Sequence, residues 1–261
     1  MDRSELLLEA LWEGVKTLRR LLSEKKLEGI DLDVEASIAG MLRQRLKNAT
    51  LITEERGIIS WGGGGPPILI LDPIDGSTNL FRGYSLYSLS LAIANGSSWD
   101  TIESGVVVNP LLDEVFEACR GTGAYLNGEP MKTSSISSLD NAMIAIDLNF
   151  KEAIDSSTAS SILDILGRAA HVRCIGSDAL EICMVAAGRL EAFIDLRGVL
   201  RLTDFAAAGF ILEESGGYLF DKRLARLKPK LEPGVRSSII ACNSMDIALE
   251  LSKVLKTLQQ P

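Results

Sequence analysis

Two carboxylates three residues apart, Asp72 and Asp75, close the segment ILILDPIDGSTN at 68–79. They follow a short apolar run, Ile68 to Leu71, whose branched side chains read as a buried strand. Asp-Pro and Asp-Gly are ordinary turn dipeptides, so a plain turn is one reading. The other is that both acids aim at one cation, and these residues alone leave the two open. Pro73 fixes a backbone dihedral and lacks an amide proton, which stiffens the stretch between the acids. On the second reading the carboxylates and the Ile74 carbonyl face a common point. Gly76 permits a close approach, and Ser77, Thr78 and Asn79 begin a short helix. Its first amides, unpaired and partly positive, suit a phosphate.

Two further places put acids at the ends of expected elements. Glu54 and Glu55 follow the strand-like TLITEE, and Asp204 opens a helical stretch. Each has a plain reading, a solvated strand exit for the first and an N-cap for the second. Taken with DPIDG, they suggest one oxygen-lined site. Crowded acids repel strongly, and divalent cations would both neutralise them and turn the cleft attractive to phosphate. A formal net charge of −8 is therefore compatible with an anionic substrate, while it speaks against a nucleic-acid partner held on a basic face. His171 is the only histidine, so a multi-histidine metal site is excluded and a Ser-His-Asp triad would need His171 as its base. Oxygen donors favour hard cations such as magnesium or manganese.

The elements that must position these acids follow from periodicity. At 261 residues, 46% of them hydrophobic, the chain has material for one large or two modest domains. Leucines three and four apart predict helices over 3–27 and 33–47. Strands are expected at 50–55, 68–72, 87–94, 103–109 and 113–119, with SWGGGGPP at 60–67 a flexible connection lacking the Lys-Ser/Thr of a phosphate-binding loop. From about 141 the pattern alternates. Strands are expected at 142–147, 170–175, 191–196 and 238–243, and helices at 160–168, 179–188, 204–217 and 245–258. A Ser-rich stretch near 135–142 divides the chain into an N-terminal α+β subdomain, 1–140, and a C-terminal α/β subdomain, 141–261. The four cysteines show no CxxC spacing, so buried thiols are expected. The N-terminus reads as an amphipathic helix and not a signal peptide, and no stretch approaches the ~18 apolar residues of a membrane span. A cytoplasmic protein with no membrane partner is expected.

These segments together resemble the inositol monophosphatase family, within the superfamily of lithium-sensitive and fructose-bisphosphatase-type phosphatases. The family's D-P-x-D-G-[ST]-x-N is present as DPIDGSTN, its Glu-Glu strand end as ITEERG (52–57), and its G-x-G-A-x-x-N-G as GTGAYLNG (121–128). Its W-D-x-A-A-G resembles TDFAAAG (203–209), with Thr203 for the tryptophan, and GSDALEICMVAAGRLEAFID (176–195) is similar to the stretch around its substrate helix. The resemblance implies a sugar-phosphatase fold, a layered α-β-α-β-α sandwich, and a Mg2+-dependent phosphatase using two or three metals, with Mn2+ an alternative. Residue by residue it implies metal ligation by Glu54, Asp72, the Ile74 carbonyl, Asp75 and Asp204. It implies phosphate contacts at Gly76 and Ser77, and water orientation by Glu54 and Ser77 before direct attack on phosphorus. Asp33 resembles an acid that the family places near this water, although the D-L-V-T-x-x-D pattern around it is absent and the family's upstream lysine has no counterpart.

For the substrate, a phosphorylated sugar or polyol is implied. Arg197 stands seven residues before Asp204, where inositol-selective members often carry glutamate. With Ser77 in place of threonine, this resembles archaeal members acting on both fructose 1,6-bisphosphate and inositol phosphate. Arg197 could grip a second phosphate bidentately or be a solvated loop residue. Asp178 could accept substrate hydroxyls or cap a helix, Asp75 is a further hydroxyl partner, and Arg173 and Arg201 are additional cations. A nucleotidase removing the 3′ phosphate of an adenosine bisphosphate and a non-catalytic metal-binding homologue are the rivals. A homodimer is expected from the resemblance alone.

Overall fold

Strand and helix periodicities build two sheets with helices outside and between them, in a computed structural model that describes residues 3–149 and 155–255. Helices α1 (Arg3–Ser23) and α2 (Ile30–Arg45) come first, followed by β1 (Ala49–Thr53), β2 (Gly57–Trp61), β3 (Ile68–Asp75) and the short α3 (Ser77–Arg82). Then come β4 (Ser88–Ala94), β5 (Ile102–Asn109), β6 (Glu114–Cys119), β7 (Gly123–Leu126) and β8 (Glu129–Met131). Among the described residues these strands form an eight-stranded sheet in the order β2-β1-β3-β4-β5-β6-β7-β8. The chain then enters a five-stranded sheet, ordered β10-β9-β11-β13-β12. Its strands are β9 (Met143–Ile146), β10 (His171–Arg173), β11 (Ala192–Arg201), β12 (Tyr218–Phe220) and β13 (Arg236–Cys242). Between them run α4 (Ser156–Arg168), α5 (Asp178–Ala186) and α6 (Leu202–Glu214), and α7 (Met245–Val254) follows.

The two-residue alternation of each strand sorts its side chains into separate cores. Leu69 and Leu71 of β3 pack with α1 and α2, for example on Leu11, Val15 and Ile38. Ile70, on the other face, joins a second core with α5, α6 and the inner face of the five-stranded sheet, including Phe193, Phe205 and Ile239. That sheet's outer face, with Ile194 and Ile240, packs on α4 and α7 through Ile162, Ile165, Ile247 and Leu251. The layers run helix, sheet, helix, sheet, helix, as expected. Gly105 lets α6 lie close on β5, since a Cβ there would come within 3.0 Å of the Ala207 carbonyl oxygen.

Four short strands escape the sequence pattern. β2 is a half-exposed edge strand reached by a tight turn through Glu54–Arg56, and it takes the first two residues of the stretch expected to be a connection. β7 and β8 form a hairpin around Asn127 and Gly128, both with positive φ, as an Asn-Gly turn requires. β12 has only three residues. The end of the expected helix 245–258 lies outside the described residues. Among the described residues, no helix is long and apolar enough to cross a membrane.

Candidate metal centre and active-site cleft

A bulge explains how two acids three residues apart come to share one face. In a regular strand such residues point to opposite sides. Here Asp72 lies opposite Ser90 and Asp75 opposite Ser88, so β3 carries one more residue than β4 between the two pairs. Pro73, which has no amide to offer a ladder, sits inside the bulge. Asp72 Oδ1 accepts from the Ile74 amide at 3.0 Å, which fixes the carboxylate direction. Gly76 then turns the chain with φ of 89°, and a Cβ there would lie 3.0 Å from the Gly176 carbonyl oxygen. Asn79 of α3 donates to the carbonyls of Leu86 at 2.6 Å and Ile175 at 2.8 Å, tying this turn to the loop before α5.

Glu54, just beyond β1, and Asp204, in the first turn of α6, meet Asp72. The three offer carboxylate oxygens that all lie within 4.8 Å of one another. Asp204 is not the N-cap itself: it is the third residue of α6, and its Oδ2 accepts from the amide of the N-cap Arg201 at 2.8 Å. Burial, reinforced by Asp75, Glu54 and Asp204, pushes the Asp72 carboxyl well above the usual range. Burial also raises Glu54, against the opposing pull of Arg201. Such a set, all hard oxygen and crowded in a protein interior, fits a magnesium- or manganese-type cation.

Asp75 is turned elsewhere. Its Oδ2 accepts from Ser177 Oγ at 2.6 Å, the Ala179 amide at 2.9 Å and Ser88 Oγ at 3.3 Å, and its Oδ1 accepts from the Asp178 amide at 3.2 Å. It therefore caps the start of α5 and joins the two sheets' halves of the cleft. Burial is the main reason its carboxyl is raised, to about 6, and its hydrogen bonds work the other way.

The acid beside Ser77 is Asp31, not Asp33. Ser77 Oγ lies 2.9 Å from Asp31 Oδ1 and 3.0 Å from the Ile74 carbonyl oxygen. Two residues along a helix turn a side chain by about 200°, so Asp33 points away from Ser77 and is exposed. The DLD triplet offers two acids, and only the packing of α2 against β3 separates them.

Arg197 is neither a free fork nor a solvated loop residue: it lies on β11 with its side chain 13% exposed. Its Nε and Nη2 donate to the two oxygens of Asp195 at 3.0 and 2.7 Å, Nη2 also to Asp147, and Nη1 to the Asn149 carbonyl at 3.1 Å. Four of its five N–H groups are used, so no two remain for a bidentate phosphate. Asp195 is fully buried, which explains why the arginine is drawn in. Arg201 donates from Nε to both oxygens of Asp204, at 3.0 and 3.2 Å, and from Nη1 to Glu54. Arg173 is exposed, with Nη1 on the Val172 carbonyl at 2.9 Å.

Glu54, Asp72, Asp75, Arg201 and Asp204 line one cleft of about 600 Å³ together with Gly76, Ser77, Thr78, Asp147, Asp178, Arg197 and Arg236, whereas Arg173 lies outside its lining. Asp178 leaves Oδ1 buried with no hydrogen-bond partner among the described residues. Burial first, then Asp75 and Asp147, lift its carboxyl well above normal.

The model of the inositol monophosphatase family matches residues 17–255. The chain belongs to the inositol monophosphatase family. It is 31% identical over 239 residues to a fructose-1,6-bisphosphatase/inositol-1-monophosphatase of Methanothermobacter thermautotrophicus, covering 88% of this chain and 82% of that one. It is 34% identical over 194 residues to the Nus factor SuhB of Escherichia coli, covering 74% and 70%. Among solved structures, the inositol monophosphatase of Anabaena superposes with a TM-score of 0.82 at 26% identity, covering 99% and 96% of the two chains. As an inositol monophosphatase family member the protein is a metal-dependent phosphatase, a phosphoric monoester hydrolase.

Proposed function

We propose that the protein hydrolyses phosphorylated sugars and polyols, inositol 1-phosphate and fructose 1,6-bisphosphate among them, with Mg2+ as its working cation and Mn2+ as a substitute. The observation that carries this reading is the convergence of Glu54, Asp72 and Asp204 within 4.8 Å at one end of the cleft that Gly76 and Ser77 also line. Two or three divalent cations held by Glu54, Asp72, Asp75, Asp204 and the Ile74 carbonyl would supply Lewis acidity and a lowered water pKa. Asp75 Oδ1, with one amide on it, retains a lone pair for such use.

The chain's own groups do the rest. Gly76 and Ser77 hold the phosphoryl oxygens. Glu54 and Ser77 orient the attacking water, with Asp31 holding the Ser77 hydroxyl in place. Water attacks phosphorus directly, the ester oxygen leaves with a proton, and no covalent enzyme intermediate forms. Asp178 takes a substrate hydroxyl with its unpartnered oxygen. A second phosphate meets Arg236, whose Nη1 bonds the Val199 carbonyl and which makes no ion pair among the described residues, and not the saturated Arg197. The 31% identity with the dual-activity archaeal enzyme supports both substrates. The family resemblance also supports a cytoplasmic homodimer, which sedimentation and fractionation test.

Phosphate release from inositol 1-phosphate, fructose 1,6-bisphosphate and adenosine 3′,5′-bisphosphate, with Mg2+, with Mn2+ and with EDTA, is the direct test. Turnover of the first two that EDTA abolishes is expected. Preference for the nucleotide overturns the substrate assignment, and no turnover of any of them overturns the catalytic one.

A further inference from the structure

A positive side chain lies inside the acid cage. Arg201 ends β11, and its own amide is held by Asp204 Oδ2 at 2.8 Å, which fixes its backbone at the start of α6. Nε meets both Asp204 oxygens, at 3.0 and 3.2 Å, and Nη1 meets Glu54 Oε1. Across the antiparallel pair, the residue opposite Arg201 is Arg236, a like charge that lines the same cleft. The guanidinium thus uses lone pairs on two of the three carboxylates that converge. With all three ionised, it brings the cage's formal charge from −3 to −2.

We propose that Arg201 sets the divalent-cation affinity of this centre, competing for Glu54 and Asp204 and holding that affinity down while it keeps both acids aimed at Asp72. The inference rests on the reading of Glu54, Asp72 and Asp204 as the metal ligands. A unit positive charge a few ångströms from a divalent ion opposes binding by more than a factor of ten even at the effective dielectric of a protein surface. The side chain is 39% exposed, which moderates the effect. Arg201 is therefore a positioning residue whose charge, and not only its shape, is read out in binding.

Equilibrium Mn2+ binding, followed by the electron paramagnetic resonance of the free ion, separates the possibilities. Arg201→Gln is expected to bind Mn2+ about tenfold more tightly than wild type. Arg201→Lys, which keeps the charge, stays within about threefold of it. Arg201→Met retains the aliphatic stem and gives the tighter binding too, should the glutamine variant fail to fold. In EDTA the neutral variants melt below wild type, and Mn2+ raises their melting temperature by more than it raises that of wild type. Affinity unchanged or weakened in both neutral variants overturns the inference, as does equal tightening by lysine, which would make bulk the cause. Asp72→Asn serves as the reference for the cage. If it binds Mn2+ as wild type does, the ligand reading falls and takes this inference with it. If it loses binding while the arginine variants stay at wild-type affinity, this inference alone is wrong.

Discussion

Arg197 and Arg201 sit four residues apart on β11, each gripped by two acids, yet they make opposite kinds of cluster. Around Arg197 the pairing is closed. Its side chain is 13% exposed, Asp195 is fully buried and Asp147 is 12% exposed, and nearly every donor has an acceptor. Around Arg201 a third carboxylate is left over: Asp72 is buried beside the pair with no side-chain cation bonded to it among the described residues. The same side chains thus make a structural strut where one guanidinium meets two acids, and the proposed cation site where a third acid joins them. Burial decides which, because an unbalanced acid in a dry setting is stabilised chiefly by protonation or by a metal.

The contrast can be broken by exchange of charge. Asp72→Asn removes the excess, and phosphatase activity with Mg2+ should fall by more than about a hundredfold, beyond what residues that merely orient a ligand cost. Steady-state phosphate release checks it. Arg197→Ala leaves buried Asp195 unpaired and should destabilise the fold by about 3–5 kcal/mol, whereas Arg201→Ala should cost about 1 kcal/mol or less. Urea unfolding of the two variants compares them directly, and equal losses would erase the distinction between strut and cation site.

Glu181 of α5 holds the loop that precedes its own helix. It is buried and accepts from the amides of Ile175 at 2.9 Å and Gly176 at 3.3 Å. Burial raises its carboxyl from 4.5 to about 8. Between those values the folded chain keeps a proton that the unfolded chain releases, so stability falls as pH rises through this window. Melting temperature should decline by several degrees from pH 5 to pH 8, and Glu181→Gln should flatten the decline. Calorimetry across that range decides, and an unaltered slope in the variant would remove Glu181 from the account. The smallest effect separates two neighbouring acids: Asp31→Asn should lower kcat about tenfold, and Asp33→Asn should leave it within about twofold. Reversal of that order would return the role to Asp33.

Much of the architecture was legible because apolar spacing reports burial directly. The long helices and the central strands β3, β4 and β5 appear close to their expected bounds. β2, β7, β8 and β12 did not declare themselves: they are short, β2 and β8 mix half-buried with exposed positions, and β7 buries only Ala124. Within the site, DPIDG advertised a bend with two acids, and the bulge supplies the bend. What spacing could not reveal was where each carboxylate would be used.

The chain's order of residues, taken alone, determined which donors exist: oxygen-rich, almost without histidine, placed at the ends of apolar strands and at a helix start. Only tertiary packing decided which of those oxygens meet. It turned Asp75 toward α5, chose Asp31 over Asp33, saturated Arg197 and set Arg201 among the acids. The reason is that element formation follows from local spacing, whereas the partner of a charged group depends on which distant charge shares its low-dielectric pocket, and that is settled when the layers close.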